Sequence, residues 1–195
     1  MKNLNKTRTL AAIVALPAPE AAPLLLGNII VSHHGGVKVE GIISEVEAYT
    51  EEDPASHTYG GPTKRNAVMF EDPGRAYVYF TYGMHFCLNI VCGYPGRGEA
   101  VLIRAIEITE GLSVAMARRY GDVTPTPLQL KNLSNGPAKV TKILGIGMAD
   151  YGKNLLDERN EVYIRLPEPS DLRAIQQTAR IGISRAKEVL WRWHL

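Results

Sequence analysis

Glu45, Glu47 and Tyr49 stand two apart at the end of an apolar run, and they pose the first chemical question. Val37 to Tyr49 reads as a β-strand, in which alternate side chains share a face. Ile43, Glu45, Glu47 and Tyr49 then point one way, and Ile42, Ser44, Val46 and Ala48 the other. A buried carboxylate is costly unless paired or hydrogen-bonded, so the acidic face either opens to water or lines a polar cavity. Beside a buried arginine such a carboxylate stays ionised at neutral pH and can orient or deprotonate water. One arginine suited to that task, Arg104, lies in the predicted strand Val101 to Ile106.

The second chemical feature is aromatic. Tyr77 to Val91 is rich in β-branched and aromatic residues, interrupted by Gly83-Met84-His85, which predicts a β-hairpin. Tyr77 and Tyr79 share a face and Tyr82 lies at the turn. Buried tyrosines need partners for their hydroxyls, so packing alone would favour phenylalanine. Flat amphipathic rings suit stacking on planar ligands such as nucleobases; an ordinary aromatic hairpin is the plainer reading. If Tyr79 and Asn89 line one pocket they must share a sheet face. A two-residue Gly83-Met84 turn would put them on opposite faces, whereas a loop one residue longer, Gly83 to His85, pairs Tyr79 with Asn89. The longer turn, or a bulge, is predicted.

The elements that must hold these groups follow from turn and capping residues. Pro19 to Leu26 predicts a short helix ending at Gly27, though Pro23 weakens it, and Asn28 to Ser32 a strand. Thr50 to Asn66 is a polar loop with His57 and, near its end, Lys64-Arg65; loops of this length in compact domains are often functional. Glu110 to Tyr120 predicts a helix closed by Gly121. Asn135-Gly136-Pro137 is helix-start chemistry that favours an anion near Lys139, or is simply a good cap. Val162 to Leu166 predicts a strand, and Asp171 to Ala179 and Ser184 to Trp193 two short helices.

Composition narrows the class. A chain of 195 residues, 45% hydrophobic and 22% charged, suits one soluble globular domain. A net charge of +2 means that any nucleic-acid surface is local. Leu10 to Leu16 resembles a signal peptide only faintly, and no apolar run approaches the roughly 20 residues of a membrane span. Residues 1–18 are expected to be loosely ordered and 19–195 to form the domain. Five histidines and two cysteines show no zinc spacing, and no nucleophile elbow or dinucleotide fingerprint is present. Leu144-Gly145-Ile146-Gly147 is similar to the hairpin of helix-hairpin-helix proteins, and a glycine helix cap explains it equally well.

Seven ordered motifs carry a family resemblance. They are Glu45-Val46-Glu47-Ala48-Tyr49, Ala55-Ser56-His57, Arg65-Asn66-x-x-Met69-Phe70, Tyr77-Val78-Tyr79, Tyr82 to Asn89, Leu102-Ile103-Arg104-Ala105 and Gly136-Pro137-x-Lys139. Together they resemble the alkyladenine (3-methyladenine) DNA glycosylase family from about Leu25 to Trp193. The resemblance implies a single α+β domain: a curved, mostly antiparallel sheet flanked by helices, with a protruding hairpin. It implies a monofunctional enzyme, without cofactor or metal, acting on double-stranded DNA containing damaged purines; nothing in the sequence suggests a dimer seam, so monomeric action is expected. Glu47 corresponds to the water-activating base, with Arg104 and the Ile181 carbonyl helping to hold that water. Tyr49, His57, Tyr79 and Asn89 correspond to the base pocket, Asn89 disfavouring guanine. Tyr82, with Met84 and His85 beside it, corresponds to the wedge placed in the duplex, and Thr63, Arg65, Arg119 and Lys139 to phosphate contacts. Expected localisation is cytoplasmic and nucleoid-associated in a bacterium, nuclear in a eukaryote. The rival readings are a non-catalytic nucleic-acid-binding module and a small-molecule hydrolase using Glu45 or Glu47. The chain departs from the family at Pro23 and at Trp191 to Leu195, where relatives often add a strand.

Overall fold

The computed structural model describes residues 9–81, 83–167 and 174–195. Its centre is strand β2, Val39–Tyr49, which antiparallel partners flank on both sides. On one side lies β5, Ala100–Glu110, followed outward by β4, His85–Val91, and β3, Ala76–Thr81. On the other lies β1, Ile29–Ser32, and beyond it β6, Val162–Arg165. The result is the expected α+β domain built on a curled antiparallel sheet.

Because β1 pairs only with residues 39–42 of β2, the later part of that edge needs another partner. The chain's end supplies it: β8, Arg192–His194, pairs with Glu45 to Glu47, and β7, Gln176–Thr178, pairs with β8. Both predicted C-terminal helices are therefore corrected. Residues 171–173 lie outside the described residues, 176–178 are a strand, and 184–191 are irregular before β8. Two-residue alternation explains the outcome, since Trp193 enters the core while Arg192 reaches the opposite face.

Helices cover the core face of the sheet. Helix α1 spans Leu10–Val14 and α2 spans Ala18–Leu25; α3 is Leu112–Tyr120, α4 Pro127–Lys131 and α5 Pro137–Leu144. Val140, Ile143 and Leu144 give α5 a helical-period apolar stripe that packs on β4 and β5. Gly145 caps α5 with φ 72°, which accounts for the Leu144-Gly145 motif as a helix end. The loose start expected through residue 18 is corrected for Leu10–Val14: Thr9 caps that helix, and Ile13 and Val14 are buried.

One irregularity turns both central strands. The β2–β5 ladder shifts on either side of the Glu45–Ala105 pair, leaving Ser44 and Arg104 out of register. A bulge bends and twists a strand, and here it lets residues three apart face the same way. Ile43 and Val46 both enter the core, as do Ile103 and Ile106. The predicted placement of Ile43 on the acidic face is thereby corrected, while Glu45, Glu47 and Tyr49 remain together.

Candidate active site

The face of the sheet opposite the main core carries a cavity of about 480 Å³, lined by residues of β2 to β5, the 50–66 loop and residues 181–185. The hairpin places the aromatic wall. Thr81 pairs with His85, with three sequence positions between them, and Tyr79 pairs with Cys87 and Tyr77 with Asn89. The longer turn is present but one position earlier than expected, so Tyr79 pairs with Cys87 instead of Asn89. Tyr79 and Asn89 nevertheless share the cavity face. Gly83 adopts φ 68° at the tip, which a side chain would resist.

The 50–66 loop is fixed by buried Asn66, whose amide donates to the carbonyls of His57 (2.8 Å) and Gly61 (3.1 Å). A side chain at Gly98 would strike Thr58, so glycine lets the 93–98 loop pack against this one. His57 thus meets the hairpin: its Nδ1 shares a 2.7 Å hydrogen bond with the Tyr77 hydroxyl, and its ring stands edge-on to Tyr79 at 4.6 Å. Burial of the ring, and then the Arg65 charge, lower the His57 pKa, so the imidazole is neutral at pH 7. Burial pushes the Tyr77 hydroxyl up to about 12 and Tyr79 higher still, keeping both protonated.

Behind this wall lies Glu47, with no solvent exposure. Oε2 accepts from the Tyr49 hydroxyl at 2.7 Å and from Arg104 Nη1 at 3.2 Å; Oε1 accepts from the Ile181 backbone N–H at 2.8 Å. Tyr49, Arg104 and Ile181 line the cavity and Glu47 is held beneath them. Such charge-assisted bonds are what allow a carboxylate to be buried. Burial, and then the charge of Glu47, push the Tyr49 hydroxyl far above its ordinary range, so it stays a donor. Arg104 also donates through Nε to Glu45 at 2.8 Å, and Arg192 donates to the same Glu45 oxygen at 2.6 Å. Burial raises the Glu45 pKa, but the two guanidiniums outweigh it and hold the carboxyl below its ordinary value. An alternating row, Arg192, Glu45, Arg104, Glu47, therefore runs along the bulge.

A model of the family described as methylpurine-DNA glycosylase matches residues 12–195. The chain belongs to that family. The resemblance drawn from its motifs is thereby confirmed, and the chain is a DNA glycosylase, a hydrolase that acts on DNA. Similar proteins include one from Francisella tularensis subsp. tularensis (strain FSC 198), 42% identical over 190 residues, covering 95% of this chain and 94% of that one. Another, from Rhodopseudomonas palustris, is 45% identical over 176 residues, covering 90% and 79%. A third, from Carboxydothermus hydrogenoformans, is 44% identical over 171 residues, covering 88% and 86%. All three bear the name "Putative 3-methyladenine DNA glycosylase".

In the chain, seven predicted residues meet at one place: Glu47, Tyr49, His57, Tyr79, Asn89, Arg104 and Ile181. Asn89 is buried, with its amide donating to the Tyr77 carbonyl at 3.1 Å. The Ile181 carbonyl lies 3.5 Å from Arg104 Nη1. Met84 is 70% exposed at the hairpin tip beside His85, and Tyr82 lies outside the described residues. Predicted phosphate contacts are dispersed. Thr63 donates its hydroxyl to Asn66 at 2.9 Å. Lys139 donates to Asn135 at 2.6 Å, and burial with the nearby Arg119 charge lowers its pKa. Arg119 lies over the Tyr120 ring. Arg65 was expected on the backbone of DNA, yet its guanidinium stands 5.4 Å above Tyr79 and lines the cavity.

Several members of the site carried no signal in the sequence. Cys87 became a lining residue only through the hairpin register. Arg192 sat in what read as a helix. Arg180 and Asp53, a buried ion pair behind Tyr49, are 127 positions apart. Only tertiary contact joins them.

Proposed function

We propose that the chain flips an alkylated or deaminated purine out of duplex DNA into this cavity and hydrolyses its N-glycosidic bond with a water activated by Glu47. The observation that carries the reading is the buried Glu47 carboxylate, held by Tyr49, Arg104 and the Ile181 N–H immediately behind a cavity walled by tyrosine and histidine rings. A carboxylate oxygen accepts about two hydrogen bonds; Oε1 receives one from the protein, which leaves capacity for the attacking water.

A base inside a duplex must be extruded, at a cost of a few kcal/mol in stacking and pairing. Exposed Met84 and its neighbours at the hairpin tip are the segment suited to occupy the vacated space. A cavity of about 480 Å³ falls in the size class of sites that enclose small molecules. Rings of Tyr49 and Tyr79 favour a cationic N3- or N7-alkylpurine, each contact contributing about 0.5–2 kcal/mol depending on desolvation. Positive charge also makes that base a good leaving group. Water then adds to C1′ of the sugar, its proton passes to Glu47, and the glycosidic electron pair departs with the base. The carboxylate stabilises the cationic sugar of the transition state as well. Asn89, whose amide donates to the Tyr77 carbonyl, is assigned to discrimination against unmodified guanine through its 2-amino group. Thr63, Arg119 and Lys139 are assigned to the phosphate backbone, Arg65 to the rim where that backbone meets the cavity, and the active species to the monomer.

The test is base-release profiling on duplexes containing 3-methyladenine, 7-methylguanine, hypoxanthine or ethenoadenine. Free base and an alkali-labile site are expected from at least one lesion. Salt-sensitive binding with no base released from any of them would contradict the reading and favour a binding module.

A further inference from the structure

The buried guanidinium of Arg180 has no part in the chemistry just described, yet it lies beside two of the three groups that hold Glu47, the Tyr49 hydroxyl and the Ile181 N–H. It is completely enclosed and ion-paired with Asp53, which is itself buried. Nη2 donates to Asp53 Oδ1 at 3.0 Å, and Nη1 donates to Asp53 Oδ2 and to the Ala48 carbonyl at 3.0 Å. Nη2 also lies 3.4 Å from the Ala186 carbonyl, at the far end of the segment that walls the cavity. Its Cζ lies over two rings, 4.8 Å from the centroid of Tyr49 and 5.5 Å from that of Trp191.

Two neighbours of Arg180 hold Glu47, one at each oxygen. The residue after Arg180 is Ile181, whose N–H holds Oε1. The ring against Arg180 is Tyr49, whose hydroxyl holds Oε2. By gripping the Ala48 carbonyl, Arg180 ties the 180–186 segment to the strand that carries Glu47 and Tyr49. Taking a charged pair out of water is expensive, and a hydrophobic filling is often as stable. A buried fork of this kind therefore points to geometry more than to stability.

We infer that Arg180 is a positioning residue for the Glu47 carboxylate, setting the Ile181 N–H and the Tyr49 hydroxyl together through one guanidinium paired with Asp53. This rests on the proposed role of Glu47. Lysine keeps the charge opposite Asp53 but loses the planar fork, so Arg180→Lys separates geometry from charge.

The experiment is single-turnover base release, with enzyme in excess, from a duplex carrying a cationic N7-alkylguanine. Arg180→Lys is compared in the native background and in Glu47→Gln, and duplex binding is measured in parallel. A misplaced catalytic group costs up to about a hundred-fold, so Arg180→Lys is expected to slow release about ten- to a hundred-fold with binding retained. In the Glu47→Gln background the same change is expected to alter the residual rate by less than about twofold, because residues acting as a unit are not additive. An unchanged rate in the native background, or equal slowing in both, would overturn the inference while leaving the role of Glu47 intact. Full activity in Glu47→Gln alone would instead remove the role of Glu47 on which the inference depends. Should Arg180→Lys fail to fold, Asp53→Asn takes its place under the same criteria.

Discussion

The Tyr49 hydroxyl donates a 2.7 Å hydrogen bond to Glu47, two residues earlier on the same face of one strand. A pleated strand brings such neighbours together without help from the rest of the fold. The bond has an energetic consequence, since hydrogen bonds to charged groups contribute about 1.5–3 kcal/mol. Tyr49→Phe keeps the ring beside Arg180 and removes only this donor. Single-turnover base release is expected to fall about ten- to a hundred-fold, since each 1.4 kcal/mol is about a factor of ten. Lesion-duplex affinity should stay near the native value. A native rate in Tyr49→Phe would show that the hydroxyl does not act on Glu47.

That pair marks how far the sequence could be read. Alternation in β2 placed Glu45, Glu47 and Tyr49 on one face, and motif spacing indicated Tyr79, Asn89 and Arg104. Two things were hidden. The bulge at Ser44 and Arg104 leaves no local mark, so Ile43 was assigned to the wrong face. The C-terminal strands were hidden because Gln176–Thr178 and Arg192–His194 are too short to establish a period of two. Their conformation is set by the unpaired edge of β2, a partner far away in the chain.

Strand β8 can be tested directly through stability. Trp193 is a core residue on it, 6% exposed. Large aromatic-to-alanine changes in cores cost about 3–5 kcal/mol, so Trp193→Ala should lower the melting temperature by many degrees. A melting temperature unchanged in the variant would mean that the C-terminal strand is not packed as described.

Glu45 gives the site a pH signature. Arg192 and Arg104 overcome burial and hold its folded pKa below the ordinary 4.5. A depressed carboxyl pKa contributes stability that is present above the unfolded value and is lost as pH falls through the folded one. Glu45→Gln should therefore be less stable than the native chain at pH 7, with the gap narrowing below pH 4.5. Melting temperatures from pH 7 down to pH 3 measure this. A gap that stays constant would show that the ion pairs are not what separates the two proteins.

Arg65 presents a positive charge inside the cavity, 5.4 Å over the Tyr79 ring. A resident guanidinium there competes with a cationic base for the ring and repels it, while leaving a neutral base largely unaffected. Arg65→Gln should raise the ratio of 7-methylguanine release to hypoxanthine release several-fold. Should the ratio stay fixed while both rates fall together and the salt dependence of binding flattens, Arg65 acts on the backbone phosphates alone.

The central claim is that the enclosed carboxylate of Glu47 activates water behind the aromatic cavity, and Glu47→Gln isolates it. The substitution keeps the shape of the side chain and removes the base. The decisive measurement is the single-turnover rate of hypoxanthine release from duplex DNA, alongside the affinity for the same duplex. General-base catalysis contributes about 10²–10⁴-fold, so the account predicts a loss of that size with binding retained. A variant that releases hypoxanthine at the native rate would contradict it.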